Sequence, residues 1–316
     1  MSLIRACAVL LLVASMVVGI IGQEPPTFRT WIDVVVVDAW VHERGRPIAG
    51  LTAADFLVSD NGVEQVVQSI RTTDSAHVVV GLDLSGSVDG DTLARLREGV
   101  ETVAGQLTSR DRLSLFTFGR SIRLLLEAQP PGPHLRDALA RVEADGATPL
   151  HDALVFGSVL AGADSRPAVL LLFTDGRDTA SWATAAQAIE TLRRTNVVVY
   201  PVAAGLPAAI PNDPASEYLS RSFWIAPTAG DTLRLLQSSA DATGGEFLRL
   251  ESRGDISRVF GRILARYRQR YLVSYTPSGL PTGGWHRLDV RLRSRPGTVV
   301  AREGYVARSE DATGRR

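Results

Sequence analysis

Lysine is absent from the 316-residue chain: all 34 basic residues are arginine, and 34 acidic residues balance them to a net charge of zero. A functional demand would rarely remove every lysine, so the bias reads as one of codon usage or genome composition. The zero balance removes any electrostatic reason to expect nucleic acid or an anionic membrane as partner. Cysteine is almost absent too, with Cys7 alone in the chain. Disulfides therefore cannot hold the fold together, and its stability must come from burial. The 45% hydrophobic and 22% charged content is ordinary for a globular chain of one large or two smaller domains. Internal repeats and long low-complexity runs are missing as well.

Residues 1–22 begin Met-Ser-Leu-Ile-Arg, continue uncharged from Ala6 to Ile21, and precede the polar and proline-rich Gln23-Glu24-Pro25-Pro26. A short basic start, an apolar stretch and small residues near its end are the features of an export signal, with cleavage after Gly19 or Gly22. The stretch is shorter than the about 20 apolar residues that span a bilayer comfortably, and an uncleaved anchor is the alternative. Cys7 has no lipobox ahead of it, which argues against a lipid anchor. The expectation is an exported chain, periplasmic or secreted, with no membrane span after cleavage.

Beyond the signal, WIDVVVVDAWV from Trp31 to Val41 has the β-branched character of a strand. In FLVSDNGVEQVVQSI, Asn61-Gly62 separates two strand-like runs, the pair a type I′ hairpin turn favours. Residues 27–75 therefore read as an N-terminal β segment. From 76 to 252 apolar strands alternate with amphipathic helices: strands at 77–84, 112–118, 122–126, 167–174, 197–203 and 246–250, helices at 91–107, 135–142, 149–160, 182–194 and 232–240. That alternation predicts an α/β fold, a doubly wound, mostly parallel sheet covered on both faces. Residues 253–307 hold a helix with a clean apolar stripe, Ile256, Val259, Phe260, Ile263, Leu264 and Tyr267, then strands at 271–275, 288–292 and 299–301. The helix carries Arg258, Arg262 and Arg266 to one side, a face expected to be solvated. This segment is expected to pack with the N-terminal β segment as one small flanking β module, and residues 308–316 read as a loose tail.

Ligands of doubly wound sheets bind beyond the carboxyl ends of the strands, where strand order reverses. The stretch LDLSGSV places Asp83, Ser85 and Ser87 at the end of one buried strand, and LLLFTDG places Asp175 at the end of another. If the two strands are neighbours, their side chains share a crevice with Thr148, which opens a helix in GATPLHDAL. Two carboxylates and three hydroxyls form an all-oxygen set suited to Mg²⁺, or else Mn²⁺ or Ca²⁺, and poorly to Zn²⁺ or Cu²⁺. Hydroxyls donate little charge, so the ion stays electrophilic and can accept an acidic group from outside.

The constellation Asp83-Leu84-Ser85-Gly86-Ser87, Thr148 before a helix, and Thr174-Asp175-Gly176 after a buried strand resembles the metal-ion-dependent adhesion site of von Willebrand factor A domains. The resemblance covers about residues 76–252. It implies a sheet with one antiparallel edge strand, metal coordination by Ser85, Ser87 and Thr148, direct or water-mediated binding by Asp83 and Asp175, and a Glu or Asp of a protein partner completing the sphere. The flanking segments are similar to those of exported bacterial proteins related to that family, a likeness that carries no established biochemical role.

For the serines and Thr148 the simpler role is helix capping, which does not by itself call for the two aspartates. Asp178 is a further oxygen donor in TDGRD, read as a solvated turn residue before a ligand. His151, one turn beyond Thr148, invites a general-base reading and hence a Mg²⁺- or Mn²⁺-dependent hydrolase. No GxSxG nucleophile elbow accompanies it, so a half-buried histidine at the rim is preferred. The long loop 206–229 leaves the same face and carries Tyr218, Arg221, Phe223 and Trp224, residue types favoured as interface anchors, with packing on the β module as the alternative. The sequence thus points to an exported, non-enzymatic, metal-dependent binding protein. The rivals are the hydrolase and a scaffold with no external ligand.

Overall fold

A computed structural model describes residues 34–85, 90–143, 146–174, 178–204, 229–250 and 255–307. The signal segment, Ser87, Asp175, the aromatic loop with Tyr218, Arg221, Phe223 and Trp224, and the C-terminal tail lie outside the described residues. Among the described residues no helix is long and apolar enough to cross a membrane.

The central sheet contains β6 (His77–Asp83), β7 (Arg112–Phe118), β8 (Ile122–Gln129), β9 (Ala168–Thr174), β10 (Val198–Ala204) and β11 (Leu248–Leu250), in the spatial order β11-β10-β9-β6-β7-β8. Every neighbouring pair is parallel except β7 and β8, so the sheet is mixed, with one antiparallel edge. β6 and β9 are buried at every position, which is why both appear in the sequence as unbroken apolar runs. Alternate residues feed two separate cores. Val78, Val80 and Leu82 face α1 (Gly90–Gly105), α2 (His134–Ala140) and α6 (Ile256–Tyr267). On the other face Val79, Leu170 and Leu172 meet α3 (Leu150–Ala161), α4 (Ala185–Arg193) and α5 (Ala229–Thr243). Each fully buried Val, Leu or Phe contributes about 1.5–3 kcal/mol relative to an exposed one, so these layers supply the stability that disulfides cannot. Gly81 sits where a Cβ would lie 2.4 Å from Phe116 Cζ and 2.6 Å from Leu172 Cδ1. Only glycine fits between those side chains.

Two smaller sheets flank this layer. β1 (Val35–Glu43) lies between β14 (Thr298–Ala301) and β12 (Tyr271–Tyr275), with β5 (Val67–Thr72) beyond β12 and the short β2 (Arg46–Pro47) beside β1. The second sheet runs β15-β13-β3-β4, from β15 (Gly304–Ala307), β13 (Gly284–Leu292), β3 (Phe56–Asp60) and β4 (Val63–Gln65). Strands from the two ends of the chain thus pair directly, β1 with β12 and β14, and β3 with β13. Both sheets line a core that includes Val37, Val41, Phe56, Val58, Val273, Tyr275 and Leu288. Asn61 and Gly62 join β3 to β4 with φ of 47° and 84°, the positive values of a type I′ turn.

Helix α6 differs from its expected place. Its apolar stripe enters the α/β core beside α1, not the β module, because Gly99 of α1 leaves room for Ile256; a Cβ there would stand 2.7 Å from Ile256 Cγ2. Only its C-terminal end reaches β1. The Arg266 guanidinium lies 3.2 Å above the Trp40 ring, so the arginine face is solvated at Arg258 and Arg262 and not at Arg266. Arg270 is buried and pairs with Asp38. Helix α4 starts at Ala185 and not near Trp182, since Thr184 caps it reciprocally with Gln187. Strand β15 lies beyond the strands read from the sequence.

The buried carboxylate of Asp111 ties α1, β6 and α6 together. It accepts from Ala76 N at 2.8 Å, Thr108 N at 2.6 Å, Thr108 Oγ1 at 2.8 Å and Arg268 Nη2 at 2.7 Å. Burial by itself would raise its pKa, but the bonds from Arg268, Thr108 and Ala76 together hold it below the ordinary carboxylate value. A depressed folded pKa contributes stability that is complete above the unfolded value of about 3.9 and is lost as pH falls through the folded one. Urea unfolding of Asp111→Asn is therefore expected to show a loss of about 1–3 kcal/mol at pH 7 and a shallower decline toward pH 3 than the parent. Parallel acid declines in the two proteins would contradict this.

Candidate functional site

Strand order places β6 against β9, with Leu82 opposite Phe173 in the last paired register. The chain leaves β6 for β7 on one side and returns through β9 on the other, so the carboxyl ends of β6 and β9 flank the switch point. Asp83 closes β6 and is fully buried. Its Oδ1 accepts from Ser85 N at 3.0 Å, which turns the chain sharply after the strand, and its Oδ2 accepts from Thr174 Oγ1, the last residue of β9, at 2.6 Å. Ser85 is 5% exposed and Thr148 4% exposed, so both hydroxyl-bearing residues are buried.

Thr148 is held by the segment that follows β9. Its amide donates to Thr179 Oγ1 at 2.9 Å, and Thr179 N donates back to its carbonyl at 2.9 Å. The segment after β9 is therefore fastened at both described ends, to Asp83 through Thr174 and to the start of α3 through Thr179. Of the proposed ligands, Asp83, Ser85 and Thr148 fall among the described residues, on segments that meet at this end of the sheet. Ser87 and Asp175 fall outside them.

Asp178 departs from its expected role. It is 8% exposed rather than solvated, and its carboxylate accepts from His151 N at 3.3 Å and from Ser181 Oγ. Ser181 Oγ in turn accepts from His151 N at 3.0 Å and Asp152 N at 3.2 Å. The pair caps the first turn of α3, satisfying amides that no intrahelical carbonyl can reach. His151 Nδ1 lies 2.8 Å from the Ala183 carbonyl, a half-buried histidine engaged by backbone. Asp152 completes the clamp, accepting from Trp182 N at 2.9 Å and Ala183 N at 2.8 Å. Between them the Trp182 side chain is 97% exposed. The sequence reading quoted Thr174 within the motif without a role of its own, and gave no site role to Asp152, Ser181 or Trp182. A hydroxyl closing the otherwise apolar β9 was the available signal for Thr174; the clamp, built across some thirty residues, left none.

The donor chemistry fits a hard cation. Carboxylate and hydroxyl oxygens, the donor types of Asp83, Ser85 and Thr148, are the ligands hard cations prefer. Among the described residues no group of three or more His, Cys, Asp or Glu converges, so a nitrogen- or sulfur-rich centre has no counterpart there.

Residues 77–219 match the family model of the von Willebrand factor type A domain. The chain carries a von Willebrand factor type A domain. In fold it is similar to a von Willebrand factor type A protein from Catenulispora acidiphila, at 14% identity and a TM-score of 0.50, over 84% of this chain and 76% of that one. It is 30% identical over 101 residues to the uncharacterized protein sll0103 of Synechocystis, covering 31% of this chain and 24% of that protein. This chain thus spans about a quarter of that relative's length. A weaker likeness, TM-score 0.47 and 12% identity over 63% of this chain and 49% of the other, is to proximal thread matrix protein 1 of the mussel byssus, a protein solved with zinc in its MIDAS motif. The antiparallel β8 edge of this A domain is the one its sequence resemblance implied.

Replacing Asp178 by alanine removes one of the two caps of α3 and the acceptor that holds Ser181 Oγ, and is expected to lower unfolding free energy by about 0.5–2 kcal/mol in denaturant titration. A change within about 0.5 kcal/mol, as for a solvated turn residue, would contradict the capping role.

Proposed function

We propose that the A domain holds a divalent cation, Mg²⁺ first and Mn²⁺ or Ca²⁺ as alternatives, through Asp83, Ser85, Ser87, Thr148 and Asp175, and that an open coordination position receives a Glu or Asp of a protein partner. On this reading the chain is an exported, non-enzymatic binding protein, its export resting on the N-terminal segment alone. The observation that carries the proposal is the bond between Thr174 and Asp83, with Thr179 bonded to Thr148 a few residues on. Both draw oxygen-bearing segments to the carboxyl end of the sheet. When bound, the ion supplies an electrophilic centre; this chain's residues fix its position and limit the negative charge around it.

The exposed Trp182, on backbone clamped by Asp152, lies on the segment that wraps the start of α3 after Thr148. A rigid aromatic there suits a partner's apolar contact beside the docking carboxylate. The hydrolase reading gains no support from His151, whose Nδ1 is engaged by the Ala183 carbonyl.

Thermal unfolding in Mg²⁺ against EDTA tests the centre. Saturating Mg²⁺ should stabilise the protein by ordinary linkage, about 2.7 kcal/mol at a hundredfold excess over Kd, and Asp83→Ala or Ser85→Ala should abolish that gain. A melting curve indifferent to millimolar Mg²⁺ would count against it. Capture from an exported fraction in Mg²⁺, released by EDTA and weakened by Trp182→Ala, separates partner binding from the scaffold reading, under which nothing is captured.

A further inference from the structure

At the opposite end of the central sheet, where β9 and β10 begin, a cavity of about 460 Å³ opens between the A domain and the β module. Its charged lining is Arg71, Arg166, Arg194 and Arg302 with Asp38 and Asp164. The carboxylates are already engaged, Asp38 by Arg270 and Asp164 by Arg166, whose Nη1 lies 2.8 and 2.6 Å from its two oxygens. Arg194 pairs with Glu190 at 2.8 Å. That leaves Arg71 and Arg302 with no carboxylate partner among the described residues.

Arg302 is the telling one. It is 8% exposed, and its guanidinium donates only to neutral acceptors: Nε to Gly304 O at 2.6 Å, Nη1 to Asn196 Oδ1 at 2.7 Å and Nη2 to Arg193 O at 2.7 Å. A guanidinium has five N–H groups and the bonds above use three, so Arg302, which lines the cavity, keeps donor capacity. Burial pulls its pKa down to about 10, which still leaves it cationic at neutral pH. A buried cation without a counter-ion is costly, and a chain that keeps one beside a cavity of ligand size gains by admitting an anion.

We propose that this cavity binds a small dianion, of phosphate or dicarboxylate type, held between the guanidinium groups of Arg302 and Arg71. Guanidinium forks match both oxyanions in bidentate geometry, and Arg71, exposed on β5, closes the outer side. The site joins strands of the β module to the first residues of β9 and β10, so occupancy would brace the module against the A domain. Because it lies at the other end of the sheet, it does not depend on the metal reading.

The test is isothermal titration of the whole chain in EDTA, at ionic strength held constant with chloride, using inorganic phosphate and, separately, succinate. Saturable one-to-one binding of either probe is expected, the stronger arm identifying the head group. Affinity should fall about tenfold or more in Arg71→Gln, a surface change that leaves the fold intact, and in Arg302→Lys, which keeps the charge but loses the fork. No saturable binding of either probe at tens of millimolar, or binding unchanged in both variants, overturns the proposal.

Discussion

The carboxylate of Asp83, fully buried at the end of β6, is the constraint around which the A domain is arranged. A carboxylate removed from water must be compensated by donors or by a cation, or it is strongly destabilising. Ser85 N and Thr174 Oγ1 both donate to the Asp83 carboxylate, and the bond from Thr174 exists only because β9 lies beside β6. Strand order, the hydroxyl that ends β9 and the turn after β6 are thus parts of one electrostatic arrangement.

A second buried charge system sits where the A domain meets the β module. Burial alone would lower the pKa of Arg270, but Asp38 holds it above its ordinary value, while Arg266 covers Trp40 and Arg302 spans to Asn196 and Arg193. These contacts join β1 and the segment after β14 to the α/β layer. Since β1 pairs with β12 and β14, the module is built from strands far apart in sequence, with the α/β layer between them along the chain. The amino ends of β9 and β10 thus lie against the module, at the opposite end of the sheet from Asp83.

Much of this was legible in the sequence because burial on both faces leaves unbroken apolar runs, as at β6 and β9, and because Asn61-Gly62 demands a turn with positive φ. What was not legible required tertiary proximity. The stripe of α6 marks an apolar face without saying which layer it joins, and the space beside Gly99 decided that. Asp178 resembled a solvated turn residue until the start of α3 supplied amides for it to cap. The arginine face of α6 seemed free until Trp40 covered Arg266. At the candidate site, Asp83, Ser85 and Thr148 were named by residue type and spacing, whereas Thr174 was named only as part of the motif after β9 and its bond to Asp83 became visible in the fold. Ser87, Asp175 and the aromatic residues of the 206–229 loop lie outside the described residues.

The central claim is that the carboxyl ends of β6 and β9, together with the start of α3, form one oxygen-lined centre for a hard cation. Anomalous diffraction from crystals grown with Mn²⁺ addresses it directly. The account predicts a single strong peak within coordination distance of the Ser85 and Thr148 hydroxyls, with the Asp83 carboxylate adjacent. A saturated crystal with no peak there, or with its metal bound only elsewhere on the molecule, would contradict it.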